Sequence, residues 1–238
     1  MKKGDTVEPF SSDISNNRGY SYTLNPSLSS RYANERITEA TLQLTSIRGQ
    51  RLIDIGCGDG TFTVELFDRG HPMSITAIDP SEEAIGVAEE KKGGRAIEFS
   101  AKSAYELPWA DNSFDVAYLR GVLHHLERPI DALKEALRLA PSVVSIEPNG
   151  YNPVLKVLER VSRYHREHEE KSYPPSRLDY WVTKLGGAIT SRQWIGLVPM
   201  FCPDWFARTL KTIEPTIERL PGVNRVCCAQ YVFLARRV

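Results

Sequence analysis

Cysteine is scarce in this chain. Four occur in 238 residues, Cys57, Cys202, Cys227 and Cys228, and no two form a C-x-x-C pair. That spacing argues against a zinc site, and a chain of this length does not need a disulfide framework. The expectation is no metal centre and the reducing cytoplasm. Long apolar runs are also missing: no stretch of 18 or more apolar residues occurs, so no transmembrane helix and no membrane partner are expected. The opening MKKGDTVEPFSSDISNN has two lysines but no apolar core, which predicts no secretory leader. Charge of one sign is not in excess, with 30 Lys+Arg against 30 Asp+Glu. A strong nucleic-acid binder usually carries a basic surplus, so nucleic acid ranks below small molecules as a partner. Internal repeats are absent as well.

What is present is ordinary globular composition, 41% hydrophobic and 25% charged. Residues 1–26 are polar and rich in Ser and Asn, and 28–47 carry helix-spaced apolar residues. An alternation follows. Strand patterns fall at Arg51–Ile55, Ser74–Ile78, Ile97–Ser100, Asp115–Leu119 and Ser142–Ile146. Between them lie helical patterns at Thr61–Arg69, closed by Gly70, at Glu82–Lys92, and at Pro129–Leu139. Asp79 and Glu82 have the spacing of a capping box. Alternating strands and helices predict a parallel sheet covered on both sides, an α/β doubly wound three-layer sandwich. Such sheets bind ligands outside the carboxyl ends of their strands. Further on, a helix is expected from Asn152-Pro153 to about Glu170 and another from Ser176. Ile189–Leu197 reads as a strand, a helix follows Pro203, and a last strand covers Val223–Leu234 after a Pro221-Gly222 turn. One domain, 45–238, with an N-terminal tail and helical cap, 1–44, is the expected organisation.

The chemistry concentrates at Leu52-Ile53-Asp54-Ile55-Gly56-Cys57-Gly58-Asp59-Gly60, a strand-to-helix junction. Glycines at 56, 58 and 60 let the backbone approach a ligand closely. The spacing is G-x-G-x-G, and Thr61 stands where a dinucleotide fingerprint wants glycine. Asp54 adds a negative charge that repels a pyrophosphate and suits an ammonium or sulfonium. Asp79 ends the next strand, where a carboxylate can accept both ribose hydroxyls.

LIDIGCGDG, IDPS, SAYELPWADNSFDVAYLRGVLHHL and SIEPN together resemble the class I S-adenosylmethionine-dependent methyltransferases, in the small-molecule group. The resemblance implies a Rossmann-like seven-stranded sheet, mostly parallel with an antiparallel last strand, and S-adenosylmethionine as cofactor. It implies that Asp54, Gly56, Cys57 and Gly58 line the methionine part of the cofactor, that Asp79 holds the ribose, and that Pro80 packs on the adenine. Ser103 and Ala104 occupy the adenine loop, where relatives place an aspartate before the alanine. Arg120, ending the fourth strand, falls near the methionine carboxylate. His125 in the LHH turn borders the substrate pocket and can act as a general base near neutral pH. Glu147 ends the fifth strand at the same edge, either as a second catalytic group or as a hydrogen-bonding anchor for the local turn. His165 and His168 have an i, i+3 spacing in a densely charged run, which reads as a solvated helix face. The expected reaction is methyl transfer to an O, N or C nucleophile of a small molecule by a monomer or homodimer. A cofactor-holding module without turnover, a macromolecular acceptor and a nicotinamide-dependent reductase are the alternatives.

Overall fold

The computed structural model describes residues 21–162 and 171–238. The expectations for 1–20, for the helix beyond residue 162 and for His165 and His168 fall wholly or mainly outside these residues. A single helical turn, Ser21–Leu24, leads to α1 (Leu28–Leu44). There follow β1 (Arg51–Ile55), α2 (Thr61–Gly70), β2 (Ser74–Asp79), α3 (Glu82–Lys92), β3 (Ile97–Ala101) and β4 (Val116–Arg120). A 3-10 turn at Leu123–His125 precedes α4 (Pro129–Leu139) and β5 (Ser142–Pro148). Then come α5 (Pro153–Val161), α6 (Pro175–Lys184), β6 (Gly187–Ile195), α7 (Asp204–Arg219), α8 (Val223–Cys227) and β7 (Gln230–Arg237).

The seven strands form one sheet in the order β3-β2-β1-β4-β5-β7-β6. β1 to β5 pair in parallel, and β7 runs antiparallel to both β5 and β6. Side chains alternate across the pleat. Ile53, Ile55, Ala117, Leu119, Val143 and Phe233 face a cluster completed by Ala132, Leu133 and Ala136 of α4 and Leu178 and Trp181 of α6. Leu52, Ala77, Val116, Tyr118, Val144 and Val232 face the other layer, with Ile37 and Ala40 of α1 and Leu66 of α2. The strand order reverses between β1 and β4, which leaves a crevice above their carboxyl ends.

Several boundaries differ from the sequence expectation for physical reasons. α2 does not close on a glycine in the left-handed region; His71 takes that conformation (φ +52). Gly70 is needed for space instead, since a Cβ there would lie 2.3 Å from Ile47 Cδ1. The cap of α3 is Ser81, whose Oγ accepts the Ala84 N–H at 3.2 Å, so the Asp79–Glu82 capping box does not form. Val223–Cys227 is helical, and the last strand starts only at Gln230. Cys227 and Cys228 therefore do not alternate across a strand. Pro221-Gly222 precedes that short helix, with Asn224 Nδ2 donating to the Glu218 carbonyl at 2.9 Å.

Candidate active site

β1 delivers Asp54 and β2 delivers Asp79 to neighbouring strand ends, with Ile55 opposite Ile78 in register. Both carboxylates are buried. Asp54 Oδ2 accepts the Thr63 hydroxyl at 2.7 Å. Burial pushes the Asp54 carboxyl up to about 7, against the hydrogen bond from Thr63 and the charge of Arg120. Asp79 Oδ1 accepts the Ser81 N–H and Oδ2 the Gly58 N–H, each at 3.0 Å. Burial raises its carboxyl too. Neither acid has an ion-pair partner among the described residues.

The glycine loop between them is held by the protein itself. The Gly56 and Cys57 amides both donate to the Ile78 carbonyl, at 2.7 and 2.9 Å, and the Gly60 amide donates to the Cys57 carbonyl at 3.1 Å. At these positions the amides are occupied by the protein's own carbonyls. Gly56 sits at φ +80, and a Cβ on it would lie 2.6 Å from Val122 Cγ2. Gly60, at φ +73, would collide with Ala88. Both positions require glycine for approach of neighbouring chain as well as for φ. Burial pushes the Cys57 thiol well up, which leaves it un-ionised and unreactive at neutral pH.

Asp59, not singled out as a site residue from sequence, is buried and held on three sides. Lys91 Nζ lies 3.0 Å from Oδ2, the Thr23 hydroxyl donates to Oδ2 at 2.6 Å, and the Thr61 N–H donates to Oδ1 at 3.1 Å. The Thr23 contact fastens the segment before α1 onto the glycine loop. The only sequence sign was an acid inside the glycine run; two of its partners, Thr23 and Lys91, lie far along the chain.

Arg120 ends β4, as expected, but its terminal nitrogens are turned to α1. Nη1 donates to Thr38 Oγ1 at 3.0 Å and Nη2 to Asn34 Oδ1 at 2.9 Å, while the guanidinium carbon lies 3.5 Å from the centre of the Phe62 ring. Asn34 and Phe62, with Thr23, Ser30, Arg31 and Glu65, line a cavity of about 250 Å³ between α1 and α2. Pro80 and Ser103 are exposed beside the carboxyl end of β2, and Ala104 is buried. The loop after Ala104 is pinned by α4: Glu135 accepts the Leu107 N–H at 2.9 Å, and Arg138 donates to the carbonyls of Leu107 and Trp109.

On the other side of the crevice, Glu147 is fully buried at the end of β5. One oxygen accepts the amides of Val122 and Leu123 (3.2 and 2.9 Å); the other takes the His124 amide and His124 Nδ1 (3.2 and 2.8 Å). His125 is half-buried, with its ring tilted at 44° against that of His124, 3.8 Å between centroids. Of the tryptophans, Trp181 is core and Trp205 is exposed.

Two buried carboxylates, raised by burial and without a salt bridge among the described residues, fit a sulfonium nucleoside carrying an ammonium; each oxygen of Asp79 keeps a lone pair for a ribose hydroxyl. A pyrophosphate would meet like charge and occupied amides. Sheet order and acid placement thus define an α/β protein with a crevice lined by two acids at its switch point. Residues 53–142 match the family described as "Methyltransferase domain". The chain is 37% identical over 113 residues to O-methyltransferase rstn1 of Aspergillus nomiae, covering 45% of this chain and 49% of that one. The chain spans about half the length of the curated relatives it matches, 49%, 37% and 53% for three of them. Its fold superposes on the [4+2]-cyclase SpnF with a TM-score of 0.67 at 20% identity, over 98% of this chain and 93% of the other. It also superposes on magnesium protoporphyrin IX methyltransferase of Synechocystis PCC 6803, solved with bound SAM, with a TM-score of 0.65 at 12% identity and full coverage of both chains. Over residues 53–142 the chain is thus similar to the methyltransferase domain family, and its fold is the one seen in magnesium protoporphyrin IX methyltransferase.

Proposed function

We propose that the protein binds S-adenosylmethionine in the β1–β2–β4 crevice and transfers its methyl group to an oxygen, nitrogen or carbon nucleophile of a small-molecule acceptor. The observation that carries this reading is the pair of buried carboxylates at 54 and 79, neither in a salt bridge among the described residues. The O-methyltransferase relative supports the acceptor class.

In this reading Asp79 accepts the ribose hydroxyls. Pro80, Ser103 and Ala104 border the adenine, and Asp54 with the backbone at Gly56, Cys57 and Gly58 faces the methionine part. Arg120 acts through α1 and Phe62, closing residues 21–44 over that end as a cap. The cofactor, when bound, supplies a methyl group on a positively charged sulfur, which is already a good leaving group. The chain's own contribution is then alignment, worth roughly 7–11 kcal/mol for two well-oriented reactants. His125, at the rim of the crevice, takes the proton of a hydroxyl acceptor, a contribution of about 10²–10⁴-fold.

Calorimetry with S-adenosylhomocysteine tests the site. Asp79→Ala should weaken binding by about 1–3 kcal/mol, typical for lost hydrogen bonds to a charged group; unchanged affinity removes Asp79 from the site. Labelled methyl transfer across a panel of phenols, amines and carbon acids tests the reaction. Tight binding with no transfer to any acceptor would reassign the protein to cofactor holding, which the likeness to a cyclase of the same fold makes concrete. NADH should give no thermal shift where S-adenosylhomocysteine does.

A further inference from the structure

Glu147 holds the turn that borders both halves of the crevice. Its carboxylate accepts three consecutive amides, from Val122, Leu123 and His124, together with the His124 ring. No lysine or arginine pairs with it among the described residues. A buried carboxylate gathering consecutive amides fixes the backbone that carries them, because each amide would otherwise be left without a partner at about 1–3 kcal/mol. Two surfaces depend on that backbone. Val122 is wedged against Gly56, so close that even a methyl on Gly56 would not fit. His124, with its Nδ1 on Glu147, is the platform on which the His125 ring lies. Gly121 (φ +67) sets the reversal from β4 into the turn, and its amide donates to the Ile146 carbonyl, one residue before Glu147.

We infer that Glu147 is a positioning residue that, through the 122–125 turn, sets the shape of the glycine loop at Gly56 and the orientation of the His125 ring together. The inference rests on the proposed cofactor site, and it moves Glu147 from the reacting groups to the scaffold behind them. Glu147 does not need to touch substrate. It couples the two sides of the crevice because one side chain anchors both.

The test uses Glu147→Gln on the full chain. Glutamine keeps the volume but has one acceptor and one donor where glutamate has two acceptors, so it cannot serve all four partners. Two readouts are followed: histidine ring ¹⁵N–¹H spectra and S-adenosylhomocysteine affinity. In the wild type, the His124 Nδ1 proton should appear in slow exchange. In Glu147→Gln it should be lost, the His125 ring signals should broaden, and affinity should fall about fivefold to tenfold, as for loss of one net hydrogen bond. His124→Gln, which leaves the backbone amides in place, should disturb His125 but leave affinity within about twofold, since the Val122 wedge keeps its anchors. Leu234→Ala on β7 serves as the control for general destabilisation, and should change neither readout. Retention of the His124 signal and of affinity in Glu147→Gln, or identical behaviour of Glu147→Gln and Leu234→Ala, overturns the inference. If the wild type itself does not bind S-adenosylhomocysteine, the cofactor reading fails, while the spectra still report whether Glu147 orients the histidines.

Discussion

Asp54 and Glu214 are equally buried, each about 2% exposed, yet the protein treats them in opposite ways. Glu214, on α7, is fully provided for. Lys211 Nζ lies 2.7 Å from one oxygen, and the amides of Leu197 and Val198 reach the other. One turn later Glu218 repeats the scheme with Arg36 and the Gly196 amide. These two acids clamp the loop after β6, and Glu218 joins that clamp to α1. Asp54 has a single hydroxyl and a more distant arginine, and its ionisation is suppressed by burial. Glu214 and Glu218 receive their cations from the fold. The acids left without one at the carboxyl ends of β1 and β2 are suited to a cation from outside.

That contrast can be broken by exchanging charge for shape in each region. Asp54→Asn should lower affinity for S-adenosylmethionine by about 1–3 kcal/mol, a loss of roughly fivefold to more than a hundredfold measurable by calorimetry. The same substitution should raise the melting temperature above pH 7.5, because it removes a buried charge that one hydroxyl and a distant arginine do not offset. Glu214→Gln should do the reverse: stability falls by about 1–3 kcal/mol in denaturant titration as Lys211 and two amides lose their anion, while cofactor affinity stays unchanged. If both variants move the same quantity in the same direction, the distinction between the regions is wrong.

A pH series sharpens it further. Asp54 has a folded-state pKa raised to about 7, above its usual carboxylate value. Its contribution to stability is therefore full at low pH and lost as pH rises through about 7. The melting temperature of the wild type should decline from pH 5 to 8 more than that of Asp54→Asn. Over the same interval affinity for the cationic cofactor should rise, because the ligand favours the ionised carboxylate, with proton release detectable as a buffer-dependent heat. The smallest effect is expected at the cap: Thr23→Val removes a 2.6 Å hydrogen bond to Asp59 and should cost about 1 kcal/mol of stability.

The first half of the sheet was readable from sequence because its information is local. Strand, glycine turn and helix alternate with their stop signals in place, and α4 falls at Pro129–Leu139 as the pattern predicts. Where the reading departed, the deciding partner lay elsewhere. The partners of Arg120 were not legible at all: its Nη2 donates to Asn34, 86 residues away. The β-branched run VNRVCC looks like strand, but Gly222 at φ +87 and the Leu220 carbonyl start a helix there. Glu147 could be read as chemical or structural from its position alone, and its four partners sit 23 to 25 residues upstream. Gly70 has no turn to make; its requirement for glycine comes from Ile47 across the core.

The insertion of β7 between β5 and β6 has a consequence for how the chain is made. β7 follows both of its neighbours in order along the chain, so neither finds its hydrogen-bonding partner on that side until it has been synthesised. While the nascent chain leaves the ribosome, β5 is an open template bordering the unfinished crevice. Completion of the sheet therefore waits on the last strand, and a stalled or clipped product lacking it would expose two ribbons of unpaired backbone, which chaperones and proteases are placed to recognise.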